Sequence, residues 1–177
     1  MKYILFIAFM MLPFSVIAKD DSGESLSIAV VDVQQLMNKS KAAKSIQKQG
    51  KNLRKRYQGK IKNLEKELKK AESKVVEAGK AKDQEKFIES RKIFQEELID
   101  SQKKLRGYDQ KLDKAIATAL NTLRDEIIEI VDDMTVENQY DIVITRADVM
   151  TVSRDLDITA DIMKTLNKTM PSVKVRD

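Results

Sequence analysis

The sequence lacks the side chains on which most enzyme active sites depend. It contains no histidine and no cysteine, so it offers no imidazole general base, no thiolate nucleophile and no ligands typical of zinc or iron-sulfur sites. Neighbouring carboxylates occur at Glu96-Glu97 and Asp132-Asp133, but adjacent helical positions diverge and cannot form an acid/base pair on one face. No glycine-rich phosphate-binding motif is present. We therefore predict a protein that is not an enzyme and that uses no metal or other cofactor.

The charged side chains that do cluster are those of lysine and arginine. Lys39–Lys82 holds sixteen Lys or Arg and four Asp or Glu. Ala115–Asp177 is acidic, with seven Lys or Arg and twelve Asp or Glu. Such a basic block predicts either an anionic partner or a solvated, self-repelling helix surface. Because the N terminus predicts export, we favour a solvated surface that attracts a protein client or anionic lipid, and we expect no physiological nucleic acid partner. The candidate contact residues are Lys51, Arg54, Lys55, Arg56, Lys80, Lys82, Lys103, Lys104 and Arg106.

The N terminus has the pattern of a secretory signal. A single cation, Lys2, precedes an apolar run over Tyr3–Phe14, and Val16 and Ala18 stand at the positions that a signal peptidase reads. The alternative is a membrane anchor, but the apolar run is shorter than the roughly 18 to 20 residues that a spanning helix needs. We predict a cleaved signal peptide at 1–18, followed by a flexible segment at 19–25.

Apolar residues recur at helical spacing through the middle of the chain. They follow intervals of three and four residues over Gln34–Ala78, which predicts one continuous helix, and the pattern resumes from Phe87 to Met134. Between the two runs, Gly79 suits a helix C-cap and Asp83 the next N-cap. Two long helices joined near 79–83 predict an antiparallel, coiled-coil-like hairpin.

Short β-branched runs flank the two helices. Ser27–Val33 and Tyr140–Thr145 are predicted strands, and we expect them to pair with each other. Val149–Val152 is predicted as a further strand. Thr159 is the predicted N-cap of a last short helix, with Ile162, Met163 and Leu166 on its apolar face.

These elements give a mainly α fold, in which a long antiparallel helical-hairpin arm projects from a small, short-stranded β body. The arm is assigned to 37–112, the body to 26–36 and 113–170, and a tail to 171–177. One chain has too few strands to close a sheet or protect its edges, so we expect the body to be an oligomerisation domain. Its candidate core is Ile28, Val30, Val31, Ile116, Leu120, Leu123, Ile127, Ile130, Ile142, Val143 and Ile144.

Three glycines fall inside the predicted helices. Gly50, Gly59 and Gly107 each cost up to about 1 kcal/mol of helix stability relative to alanine. Either the two helices pack closely there, or the glycines are hinges of the arm. Counting from the tip places Gly107 opposite roughly residue 54 in a hairpin, and we predict a flexible zone at that level.

The sequence resembles the Skp/OmpH family of periplasmic chaperones over nearly all of Ser27–Lys168. The resemblance is carried by "IAVVDVQQLM", "KDQEKFIESRKIFQEEL" and, above all, "YDIVITRADVMTVSRDLDITADIMKTLNK". It implies a periplasmic homotrimer whose three arms enclose a cavity for unfolded outer-membrane β-barrel proteins. In some members a basic cluster on the arm has been proposed to bind lipopolysaccharide, and Lys103, Lys104, Arg106 and Lys111 lie in a comparable region.

Residues and resemblance together predict an ATP-independent holdase that prevents client aggregation. A structural coiled-coil adaptor that tethers envelope components, with the arms as spacers, is the alternative.

Overall fold

The computed structural model describes residues 26–177. The signal peptide and the flexible segment predicted for 1–18 and 19–25 lie outside the described residues. The elements, in chain order, are β1 (Ile28–Val31), α1 (Val33–Lys39), α2 (Lys41–Lys80), α3 (Gln84–Glu137), β2 (Ile142–Thr145) and α4 (Thr159–Thr169), with single 3₁₀ turns at Arg146–Asp148 and Arg154–Leu156.

Helices α2 and α3 form the predicted arm. They contain 40 and 54 residues, so they are about 60 and 80 Å long at 1.5 Å per residue. Gly50 lies against Ile116, and Tyr57 stacks on Tyr108, which shows that the two helices run antiparallel. The fold class predicted from the sequence is confirmed. In the described part of the chain, no helix has an apolar stretch long enough to cross a bilayer.

The arm reverses direction over residues 81–83. Asp83 is the N-cap of α3, as predicted, and its Oδ1 accepts a hydrogen bond from the Lys86 amide at 3.1 Å. The prediction that Gly79 would be the C-cap of α2 is wrong, because the helix continues to Lys80 and the residue with positive φ is Lys82. The Lys82 and Asp83 amides donate back to carbonyls of the last turn, which satisfies the helix end without a glycine.

A break at Ser40 separates α1 from α2, so the continuous helix predicted over Gln34–Ala78 is wrong. Ser40 has an extended backbone, and its buried side chain accepts from the Ala43 amide at 3.1 Å. The apolar period does not reveal this break, since Leu36 before it and Ala43 after it enter the same core.

Strands β1 and β2 form a parallel pair, with Ile28 opposite Ile142 and Val30 opposite Ile144. The predicted pairing is therefore confirmed. The other edge of β1 is covered by residues 157–158, where the Ile158 amide donates to the Val30 carbonyl at 3.0 Å.

The strand predicted at Val149–Val152 is wrong. Residues 149–153 are irregular and lie between the two 3₁₀ turns. The side chain of Met150 is fully exposed, whereas Val149 and Val152 are half-buried. Within the described residues this segment has no ladder partner, so it does not form a strand.

The body core is formed where α4 and the C-terminal part of α3 pack against β1, α1 and the start of α2. Its most deeply buried members are Ala29, Leu36, Ala42, Leu123, Ile162 and Leu166. Thr159 is the first residue of α4 rather than its N-cap. Its hydroxyl instead accepts from the Asp32 amide at 2.8 Å, while its own amide donates to Asp157. This buried threonine ties α4 to the end of β1.

Candidate binding surfaces

One face of α2 near the body presents a stripe of cations. Lys51, Arg54 and Lys55, all predicted contact residues, line a shallow surface groove together with Lys44 and Lys48. Their spacing places them on adjoining turns of one helical face. All five side chains are exposed, and within residues 26–177 none of them lies in an ion pair with a carboxylate. The stripe therefore presents uncompensated positive charge to an anionic partner.

The other predicted cations are dispersed. Lys80 and Lys82 lie at the tip, about 40 Å along α2 from Lys51. Lys103, Lys104 and Arg106 are exposed on α3. A hydrogen bond from Lys104 Nζ to Asp100 Oδ2, at 2.7 Å, raises the pKa of the Lys104 ammonium.

Arg56 points away from the basic stripe and lies 3.7 Å from Asp177 in the tail. The structure thus brings three of the nine predicted cations onto one face. The role of all nine in client or lipid contact stays a prediction.

The distal arm exposes large apolar side chains outside the seam, the face along which α2 and α3 contact each other. Ile88 is 60% exposed and Ile99 is 54% exposed. These two residues lie three turns apart on the same face of α3. The other members of this exposed set are Val76, Ile93 and Leu98. Sequence reasoning missed Val76 and the three isoleucines, although their positions off the three-four spacing were a visible signal. Leu98 follows that spacing and was expected in the seam, but it is exposed.

The body carries a second exposed apolar set, Leu26, Ile128, Val136, Ile142, Met150 and Leu156. Ile142 belongs to β2, which pairs with β1 on one side and, within residues 26–177, has no partner strand on the other. An open strand edge beside exposed apolar residues is a surface suited to pairing with another chain.

Five of the eleven residues of the predicted oligomerisation core are buried inside a single chain. Val30, Val31, Leu123, Ile127 and Ile130 are buried in the described protomer. The residues that are only partly buried or exposed are Ile28, Ile116, Leu120, Ile142, Val143 and Ile144. Of the predicted oligomerisation core, only this second group is accessible to another copy, and its role in a contact between copies stays a prediction.

The tail is built into the root of the arm. The rings of Tyr57 and Tyr108 stack with centroids 4.9 Å apart, and the Lys60 ammonium lies over both rings. The Tyr57 hydroxyl donates to Asp177 Oδ2 at 2.7 Å. Burial, reinforced by this hydrogen bond, raises the pKa of Tyr57 to about 12. The same hydrogen bond is the main cause of the lowered pKa of Asp177.

The three helical glycines have different surroundings. A Cβ on Gly50 would lie 3.3 Å from Ile116, whereas one on Gly59 or Gly107 would meet nothing within 4 Å. The Tyr57–Tyr108 stack places Gly107 at about the level of Gly59 along the arm, so the predicted level near residue 54 is wrong. The turn over residues 81–83 lies further along the chain than the assumed tip centre, and this shifts the register. The hinge itself stays a prediction.

Comparison with known proteins agrees with this architecture. The family model described as "Outer membrane protein (OmpH-like)" matches residues 27–166. Among solved structures, a candidate outer membrane chaperone (OmpH-like) from Caulobacter crescentus CB15 superposes with a TM-score of 0.78 at 12% sequence identity, covering 84% of this chain and 88% of that one. No curated protein matches the chain. The resemblance found in the sequence is confirmed, and the chain belongs to the OmpH-like family.

Proposed function

We propose that this protein is a periplasmic, ATP-independent holdase that binds unfolded outer-membrane proteins and keeps them from aggregating. The observation that carries the proposal is the exposed apolar set of the distal arm, which lies on a long, charged hairpin projecting from the body. A solvated arm has no need of exposed isoleucines for its own stability. Such side chains are suited to transient contact with the apolar residues of an unfolded chain.

Binding would combine two weak forces. The basic stripe on α2 would attract anionic stretches of a client over a distance set by ionic strength. Ile88, Ile99 and their neighbours would then cover apolar side chains without reading a particular sequence. Release would follow when the client folds into the membrane, so no nucleotide is required.

Three copies would enclose the client. The open edge of β2 and the exposed apolar set of the body support association of the bodies, and the arms of a homotrimer would then surround a cavity. The same arms, through Lys80 and Lys82 at the tip or through Lys103, Lys104 and Arg106 on α3, would offer contacts to anionic lipid or lipopolysaccharide.

The test is light scattering of an outer-membrane β-barrel protein diluted from urea, with and without the chain, at low and physiological salt. We expect wild-type protein to suppress aggregation at near one trimer per client, and less effectively at the higher salt. The variant Ile88→Ser/Ile99→Ser should need a roughly tenfold higher concentration, because each isoleucine loses up to about 2 kcal/mol of apolar contact when buried by client.

The matched control is Gln95→Ser/Gln102→Ser, which changes two exposed polar residues on the same face of α3. It should suppress aggregation as well as wild type does. If wild-type protein leaves aggregation unchanged at both salts, the holdase proposal fails. A stable heteromeric partner in pull-downs would then favour an adaptor that tethers envelope components.

A further inference from the structure

The last six residues bind the rest of the chain as an extended segment with alternating faces. Val173 is buried in the body core, and Val175 is half-buried between the body core and the arm. Lys174 and Arg176, between and after them, are exposed. Residues 172–177 contain no regular secondary structure and lie beyond the region, 27–166, that the family model matches. They are therefore a feature of this chain that the family pattern does not require.

Gln49 on α2 recognises the backbone of this segment. Its Nε2 donates to the Val173 carbonyl at 2.6 Å, and its Oε1 accepts from the Val175 amide at 3.1 Å. A carbonyl and an amide two residues apart are the groups that one edge of a β-strand offers to its neighbour. The contact involves no side chain of the tail, so any extended segment could make it.

The surface beneath the tail is an apolar groove between α2 and α3. Val175 packs against a cluster formed by Leu53, Tyr57, Leu112 and Ala115. At the end of the groove, the Tyr57 hydroxyl and Arg56 contact the Asp177 carboxylate. The groove thus has three parts. Gln49 hydrogen-bonds the backbone of the bound segment, the apolar cluster contacts every second side chain, and Tyr57 and Arg56 contact a carboxylate at one end.

We propose that this groove is a binding site for extended segments whose apolar and polar residues alternate, and that Ser172–Asp177 occupies it as a tethered competitor. Strands of outer-membrane barrels have this alternation, with apolar residues on one face and polar residues on the other. The inference rests on the proposed holdase function and specifies one surface that the client would use. A client strand would bind by displacing the tail.

Because the tail is covalently attached and occupies the groove, it lowers the apparent affinity of the groove for any other segment. If the tail fills the groove nine-tenths of the time, a competing segment binds with an apparent Kd raised roughly tenfold. Substitutions that release the tail should therefore strengthen client capture, which is the opposite of their expected effect on a purely structural contact.

The experiment compares two double variants of the chain. Val173→Ser/Val175→Ser removes the inward-facing side chains and releases the tail, whereas Lys174→Ser/Arg176→Ser changes only the outward-facing ones. Binding of a fluorescent acetylated peptide, SVKVRD, is followed by anisotropy, with the reordered peptide SVVKRD as the non-alternating control. Client capture is measured by light scattering, and helix content by circular dichroism.

We expect the released variant to bind SVKVRD and to capture client at a roughly tenfold lower concentration than wild type. The outward-facing variant should behave like wild type in both assays. Adding Gln49→Met to the released variant should abolish peptide binding, because methionine has neither the amide donor nor the carbonyl acceptor.

The inference is overturned if the released variant keeps its helix content but binds SVKVRD no better than wild type does, or binds both peptides equally. It is also overturned if wild-type protein captures client and the released variant captures it no better than wild type does. If neither chain holds client in solution while the released variant still binds SVKVRD selectively, the groove stands and the holdase proposal falls.

Discussion

At the scale of single residues, some of the contacts that join distant parts of the sequence are hydrogen bonds made by buried or half-buried polar side chains. Thr159 accepts from Asp32 across 127 positions, and Gln49 holds the tail across more than 120. In the part of the chain that the structure describes, no buried side-chain polar atom lacks a hydrogen-bond partner. Because an unpaired buried group costs about 1–3 kcal/mol, these few residues fix how the chain ends meet the arm.

The Tyr57–Asp177 hydrogen bond predicts that the free energy of unfolding falls at both very high and very low pH. The folded pKa of Tyr57 is raised from 10.0 to about 12, so its contribution to stability is complete below pH 10 and is lost as the pH rises through about 12. The folded pKa of Asp177 is lowered from 3.8. Its contribution is therefore present above pH 3.8 and is lost as the pH falls through the lowered value.

Phenolate absorbance of the folded protein should show Tyr57 ionising near pH 12. In Asp177→Asn the step should move to lower pH but stay above 10, because burial is the larger cause of the shift. Tyr57→Phe identifies the step by removing it. If Asp177→Asn does not change the pH at which Tyr57 ionises, the tail does not contact Tyr57 in solution.

At the scale of elements, the arm is a hairpin whose two halves differ in packing. Near the body the seam is filled by Leu53, Tyr57 and Leu112, whereas further out it includes the buried Ser101 and the small residues Ala71 and Ala78. Less apolar surface is buried per turn in the outer half. We therefore expect local opening to begin at the tip rather than at the root.

The glycines give the arm a testable weak zone. Gly59 and Gly107 lie at about the same level along the arm, each with open space around the missing Cβ. Gly59→Ala and Gly107→Ala should therefore each stabilise the protein by up to about 1 kcal/mol in urea unfolding. Gly50→Ala should gain less or lose stability, because Ile116 must move from a 3.3 Å contact.

The same variants test the hinge. Spin labels on the two halves of the arm should report a narrower distance distribution in Gly59→Ala/Gly107→Ala than in wild type. Unchanged distributions would remove the hinge hypothesis, while the gain in stability would still follow from helix propensity alone.

At the scale of the whole molecule, exposed apolar residues fall into two sets with different expected roles. The set on the body includes Ile142 of β2, and the set on the distal arm lies on the two long charged helices α2 and α3. The body set would be buried between copies of the chain, and the arm set would be buried against clients. Assembly and client binding would then use different surfaces. Substitutions in the two sets should therefore have different effects.

If the protein forms the proposed trimer, Ile142→Lys/Met150→Lys should shift the mass measured by sedimentation from three chains towards one, because two buried charges would oppose the contact between bodies. Ile88→Lys/Ile99→Lys, which adds the same charges on the arm, should leave the mass unchanged and weaken client capture. A body variant that remains trimeric would place the contact between copies elsewhere.

The amino-acid sequence was enough to predict the helical hairpin, the N-cap at Asp83, the pairing of the two strands and the family. Each of these depends on local pattern, through a three-four period, a capping residue or a β-branched run, or on motifs that resemble the family. It also placed the cations on α2, because helical spacing alone puts Lys51 and Lys55 on one face.

Four features could be seen only in the folded protein. They are the break at Ser40, the irregular segment at 149–153, the level of Gly107 along the arm and the docking of the tail. The apolar period continues across Ser40, and a β-branched run looks the same whether or not another strand reaches it. The hydrogen bonds of Gln49 and Tyr57 join positions more than 100 residues apart. Such contacts depend on where the hairpin returns the chain in space, and no local spacing encodes that position.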